Sequence, residues 1–154
     1  MAVEIMVLTE AHEAGLRALV VGENWRQFEV DFFEARHRPW ERIYVAVLDS
    51  AVVGFIEGTF SDSGEFDSGE LPPPRARIMN LLVDSLSRRE GVGTALMHQI
   101  TKDAVASTLQ AVVLYADPRD SAGRMAFFAR CGFRRLRGTE MLGAELGTVV
   151  ERTT

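Results

Sequence analysis

The chain has 154 residues, 47% hydrophobic and 25% charged, which is the size and balance of one globular domain, 1–154, with room for a proper core. A formal net charge of -5 argues against a general nucleic-acid binder, and one cysteine rules out an intrachain disulfide and, with three histidines, argues against a structural zinc site. No apolar stretch approaches the roughly 20 residues of a membrane span, and Glu4 stands where a secretory leader would be basic, so the expectation is a cytoplasmic protein without a membrane partner.

Val3 to Leu8 reads as a first strand and Glu10 to Val21 as a helix with Leu16, Leu19 and Val20 on one side. Asn24 is suited to cap a second helix, carrying Phe28, Val30, Phe32 and Phe33 and ending before Pro39. Ile43 to Leu48 and Val52 to Phe60 read as strands, joined by Asp49-Ser50-Ala51 as a hairpin. Ser61 to Pro74, rich in Ser, Gly, Asp and Glu and closed by three prolines, reads as a mobile loop. A strand from Arg77 to Val83 leads to a helix reaching about Ser107, on which Val92, Leu96, Ile100 and Ala104 recur four residues apart. Ala111 to Tyr115 is the next strand and Ser121 to Arg130 the next helix, ended by Gly132. A last strand starts near Phe133; Glu140 to Leu146 and Thr148 to Val150 are too short to assign. The order is mixed, with strands, helices on both sides, hairpins and at least one parallel pairing.

The most informative segment is Arg88-Arg89-Glu90-Gly91-Val92-Gly93-Thr94. Two glycines at a helix start let backbone approach a ligand closely, the unpaired N–H groups of a first turn favour an anion, and two arginines add bidentate donors. A pyrophosphate is the simplest occupant. A dinucleotide fingerprint needs glycine where Leu96 stands, and a P-loop needs a Gly-Lys step although Lys102 is the only lysine, so both fail.

The run Val83-Asp84-Ser85-Leu86-Ser87-Arg88-Arg89-Glu90-Gly91-Val92-Gly93 resembles the signature V-x-P-x-x-[RQ]-x-x-G-x-[GA] of the GNAT superfamily of acetyl-CoA-dependent N-acetyltransferases, with Ser85 in place of proline. Ser121 to Phe133 resembles, more loosely, that family's N-x-x-A-x-x-[FL]-Y-x-x-x-G-F, with Ser121, Arg124 and Phe128 where Asn, Ala and Tyr are usual. The resemblance implies a three-layer α/β fold, a curved and mostly antiparallel mixed sheet with one splayed parallel pair flanked by helices. It implies that the backbone edge Leu81, Leu82 and Val83 bonds the pantetheine arm. Arg88, Arg89, Gly91, Val92, Gly93 and Thr94 would hold the pyrophosphate, and Ser121 would touch the cofactor or simply cap its helix. The implied reaction moves an acetyl group from acetyl-CoA directly to a primary amine of a small-molecule or peptide acceptor, with no metal; a homodimer is compatible with it.

Such a transfer needs a neutral amine, a donor to the oxyanion and a proton for the leaving thiolate. In many relatives an acidic residue precedes the phosphate loop; here Met79 and Asn80 stand there, and Asn80 is suited only to orient water or substrate. Glu57, within the apolar run Val52 to Gly58, is the candidate base, its pKa raised if it is buried. Phe128 has no proton to give, so Tyr115 is the candidate donor, unless the thiolate leaves unaided or the chain only binds acyl-CoA. Cys131 carries no mark of a nucleophile. Trp25, Phe28, Phe32, Phe33 and Trp40 fall where the family builds an acceptor wall. The acidic stretch from Asp49 to Glu70 reads either as a solvated loop or as a rim drawing in a cationic amine.

Overall fold

In a computed structural model, residues 2–23, 38–64, 69–88, 90–115 and 122–154 are described. The expected helix after Asn24 falls on 24–37 and lies outside them. Seven strands form one sheet in the order β1-β2-β3-β4-β5-β7-β6: β1 Glu4–Val7, β2 Glu41–Leu48, β3 Ala51–Asp62, β4 Arg75–Val83, β5 Ala111–Tyr115, β6 Arg134–Arg135 and β7 Met141–Glu145. All neighbours are antiparallel except β4 and β5. The helices among the described residues are α1 Glu13–Gly22, α2 Val92–Ala106, α3 Ala122–Arg130 and α4 Leu146–Arg152.

The sheet is apolar on both faces, and the alternation of β3 explains why. Its residue Phe55 joins Leu16, Leu19 and Val20 of α1, Ile43, Val45 and Leu82 on one side. Its neighbour Ile56 joins Leu96, Met97 and Ile100 of α2 on the other. A strand buried on both sides reads as a continuous apolar run, as Val52 to Ile56 does. The β2–β3 hairpin turns through Asp49 and Ser50, at φ 50° and 67°. Positive φ at both central residues matches the right-handed twist of the flanking strands.

The β4–α2–β5 crossover supplies the single parallel pairing, which runs from Arg75 opposite Ala111 to Ile78 opposite Leu114 and stops there. Helix α2 is drawn tightly onto the sheet because Gly58 has no side chain: a Cβ there would lie 2.9 Å from Ile100 Cδ1 and 3.0 Å from the Arg77 carbonyl oxygen. Tyr44, buried in β2, donates its hydroxyl to Asp103 on α2, and burial together with that carboxylate pushes its pKa up. His98 of α2 meets Thr153 beyond α4 at 3.0 Å.

Three elements differ from the sequence reading. The helix expected from Glu10 begins as a 3-10 turn, Glu10–His12, before α1. The last apolar pieces become β7, which completes the sheet against β5, and α4, whose Leu146 and Val149 complete the core beside α2. Short segments like these acquire their structure from partners remote in sequence, which periodicity does not report. The described parts of the expected loop are tied down. β3 continues to Asp62, Leu71 is buried with Val113 and Leu136, and the buried Arg75 donates to Asp62 at 2.5 Å and to the Leu71 carbonyl at 2.9 Å.

Gly58→Val would force the Arg77 backbone and Ile100 apart. We expect a loss of about 1–3 kcal/mol, typical of overpacking, and a Tm lowered by roughly 3–10 °C in a thermal melt. An unchanged Tm would mean that α2 does not depend on this close approach.

Candidate active site

Two features of β4 create an opening beside it. The first is a bulge: Glu57 is in register with Asn80 and Gly58 with Ile78, so Met79 has no register partner on β3. The second is the early end of the β5 pairing at Ile78, which leaves residues 79–83 of β4 unpaired on that edge. Met79, between the two, is 43% exposed. Its backbone is thus placed to serve a ligand instead of a strand.

The end of β4 runs into the glycine segment. Asp84 N–H donates to the Val53 carbonyl at 2.8 Å, a 3-10 turn Ser85–Ser87 follows, and α2 starts at Val92. Gly91 caps α2 at φ 81°, a left-handed conformation that costs other residues strain, and a Cβ there would meet nothing within 4 Å. The first turn of this 15-residue helix carries no acidic side chain. Val92 is buried in the core, so it contributes its backbone, while Gly93 and Thr94 are half-buried. Arg88 donates to Glu23 at 2.8 Å and to the Val83 carbonyl at 3.2 Å, tying the end of α1 to the loop with its side chain still 57% exposed. Arg89 and Ser121 lie outside the described residues.

Helix α3 stands across the opening. Phe127 is the closest neighbour of the space beside Gly93, at 3.4 Å from a Cβ built there. Phe128 is buried edge-on between Phe127 and Phe133, with centroids 5.6 and 6.0 Å away. Arg124, one turn earlier, lays its guanidinium 5.3 Å from the Phe128 ring centroid and donates to the Leu81 carbonyl on β4 at 2.8 Å. The sequence marked Arg124 only as a departure from a small residue. That it reaches β4 is a fact of helix placement.

A polar patch lies behind the bulge, on the sheet face that carries Phe55. Glu57, 6% exposed, accepts from Asn80 Nδ2 at 2.7 Å across the β3–β4 register. One step along, Glu41, Thr59 and Arg77 stand opposite one another on three adjacent strands. Glu41 is buried, its Oε2 has no hydrogen-bond partner among the described residues, and burial raises its pKa against the pull of Arg38 and Arg77. No local pattern pointed to Glu41, which only the register of β2 brings beside Thr59. Tyr115 ends β5 opposite Met141 with its side chain 56% exposed. Trp40 is 46% exposed just before β2; the other four expected wall aromatics lie outside the described residues.

Two members of the expected acidic rim are paired with cations. Asp62 is held by Arg75 and lies 3.7 Å from Arg77, and Glu70 is 3.3 Å from Arg134. Those cations come from flanking strands that the segment's own composition does not show. Cys131 is buried and its thiol is pushed up to about 11 by burial, with Arg130 opposing, which suits an inert side chain. No cluster of three or more metal-ligating side chains occurs among the described residues, and none of their helices is long and apolar enough to cross a membrane.

A bulged strand opened on one edge, followed by a glycine-started helix, defines the class of fold, and solved structures share it. An acetyltransferase of the GNAT family from Staphylococcus aureus Mu50 matches with a TM-score of 0.74 at 15% identity, covering 94% of this chain and 99% of that one. The PaiA N-acetyltransferase of Thermoplasma acidophilum, in complex with coenzyme A, matches with a TM-score of 0.70 at 16% identity over 94% and 99% of the two chains. The aminoglycoside acetyltransferase AAC(6')-Iy, with a bisubstrate analogue, CoA-S-monomethyl-acetylneamine, matches with a TM-score of 0.75 at 15% identity over 90% and 95%. No curated protein sequence matches the chain. The sequence model described as the acetyltransferase (GNAT) family matches residues 7–133. The chain therefore belongs to the GNAT acetyltransferase family.

The raised pKa of Glu41 has a sign that can be checked. The folded state holds the Glu41 proton more tightly than the unfolded chain, so the ionised carboxylate costs stability at neutral pH. Glu41→Gln should raise Tm at pH 7. The gain should fade as pH falls below the ordinary carboxylate range, where both states bind the proton. A Tm lowered at pH 7 would mean that pairing with Arg38 and Arg77 outweighs burial.

Proposed function

We propose that the protein is an N-acetyltransferase that moves an acetyl group from acetyl-CoA directly to a primary amine of a small-molecule or peptide acceptor. The observation that carries this reading is the unpaired β4 edge, residues 79–83, leading straight into the open, glycine-capped start of α2. The residues present suit the cofactor. An amide-bearing arm would run along the backbone of Leu81, Leu82 and Val83, sharing the Leu81 and Val83 carbonyls with Arg124 and Arg88, and an anionic end would meet the first-turn N–H groups of Val92, Gly93 and Thr94 beside Gly91 and Arg88. Arg89 and Ser121 belong to the same proposal through their sequence positions. When bound, acetyl-CoA supplies an activated thioester carbonyl.

The remaining chemistry falls to this chain. Glu57 takes the proton of the attacking amine, directly or through a water, and the Asn80 amide holds the carboxylate in place at 2.7 Å. An amine of ordinary pKa, about 10.4 for a lysine-like group, needs such a base at neutral pH. The bulged backbone at Met79 offers the oxyanion an N–H that no strand partner claims by register. Tyr115, at the β5 end of the opening, is the hydroxyl proposed to return a proton to the thiolate. The reading fits the company of an N-acetyltransferase and an aminoglycoside acetyltransferase among similar folds. It is compatible with an intracellular enzyme and with a homodimer.

A second reading is favoured by Phe128, which is buried and has no hydroxyl: a module that binds acyl-CoA without turning it over. A thioester-release assay across a broad amine panel separates the two, since binding without turnover would select the module.

Calorimetric titration with acetyl-CoA should show binding by the wild type. It should show a loss of about 100-fold or more in an Arg88→Ala, Gly91→Trp double variant, with Arg88→Ala alone as companion where the double variant does not fold. No binding by folded wild type would end the transferase reading. For an acceptor that turns over, Glu57→Gln should lower kcat by roughly 100-fold or more with acetyl-CoA affinity unchanged; equal rates across pH would remove Glu57 from the mechanism.

A further inference from the structure

Among the described residues, Arg124 reaches the opening beside β4, and the cofactor reading above gives it no role. Arg124 lies on the inner side of α3, its guanidinium over Phe128 and its Nη1 on the Leu81 carbonyl, two residues beyond the bulge at Met79. The i and i+4 spacing puts Arg124 and Phe128 on the same helix face. Leu81 and Phe128 are themselves buried, at 3% and 2% exposure, so the charge is held against low-dielectric surroundings. A long cation turned inward to a strand carbonyl, on a helix whose outer face is open to water, gives up hydration that an outward rotamer would keep.

We propose that Arg124 is a catalytic residue that stabilises the leaving thiolate of coenzyme A by its charge, before a proton is returned to the sulfur. The inference rests on the acetyl-CoA reading above. In the step it serves, the amine nitrogen forms a bond to the acetyl carbon and the C–S bond breaks. The sulfur keeps the bonding pair and leaves as a thiolate, while the amine's proton passes to Glu57 or to water. Arg124 gives up no proton, because a guanidinium stays charged throughout the working pH range. It acts by charge and by its N–H donors. With five of them, one group can hold the Leu81 carbonyl and meet a second acceptor in the same opening. Phe128 fits this role better than tyrosine would, since its ring face supports the guanidinium without competing for the sulfur.

The readout is the thiol pKa of bound coenzyme A, followed by thiolate absorbance in the ultraviolet against ligand-free protein, so no acceptor has to be known. Burial pushes the thiol of Cys131, the only cysteine, up to about 11, so it should stay silent in a scan from about pH 6 to 9. Coenzyme A bound to wild type should show a thiol pKa at least one unit below that of free coenzyme A, a tenfold gain in thiolate at a given pH. Arg124→Gln should bring the bound value back to that of the free thiol, and Arg124→Lys should keep most of the depression. Calorimetry on the same samples reports occupancy separately. Binding by wild type and Arg124→Gln with equal thiol pKa values overturns the role of Arg124 and leaves the acetyl-CoA reading intact. Where Arg124→Gln no longer binds, the Arg124→Lys complex decides: a thiol titrating like free coenzyme A overturns the inference. No binding by wild type overturns the acetyl-CoA reading itself, and the inference with it.

Discussion

The parting of β4 from β5 is the constraint on which the rest of the molecule depends. Parallel pairing needs a long crossover, here α2, and the pairing ends at Ile78 and Leu114 while β4 continues to Val83 on its other edge. A sheet that closed fully would satisfy every backbone group and leave none for a ligand. The bulge at Met79 and the short β5 together keep a stretch of N–H and C=O groups available beside the start of α2.

Packing then holds that opening in shape. Clusters on both faces of β3 fix the sheet between α1 and α2, and the bare Gly58 lets α2 approach until backbone and Ile100 are in contact. The far side of the opening is formed by α3, whose Phe128 packs edge to face with Phe127 and with Phe133 just beyond the helix. Strand β7 and helix α4 support β5 from outside, so the wall opposite β4 does not rest on α3 alone.

Polar groups are distributed with equal economy. Four buried polar side chains, Glu41, Glu57, Thr59 and Asn80, occupy one patch of one sheet face behind the bulge. Asn80 answers Glu57 directly, while one oxygen of Glu41 has no partner among the described residues. Buried polar atoms are normally satisfied, so a patch that concentrates them marks a place where stability has been yielded to function. The start of α2 differs in kind: there the groups on offer are backbone N–H groups, with the exposed Arg88 nearby.

Sequence by itself determined what is local. The spacing of Val92, Leu96, Ile100 and Ala104 fixed the inner face of α2, the alternating and continuous apolar runs fixed β2 to β5 within a few residues, and the glycine segment after β4 marked the start of α2, because helix periodicity, strand periodicity and backbone permissiveness are properties of neighbouring residues. The tertiary structure decided what register and long-range packing control. Asn80 meets Glu57 only through the β3–β4 ladder, Glu41 enters the polar patch through β2, and Asp62 and Glu70 of the acidic segment meet Arg75, Arg77 and Arg134 from other strands. Arg124 reaches Leu81 across 43 positions of chain. β7 and α4, too short to carry a period of their own, exist because β5 and α2 offer them a surface. Partners on different strands and helices are chosen by the geometry of the folded sheet, and no local pattern encodes that geometry.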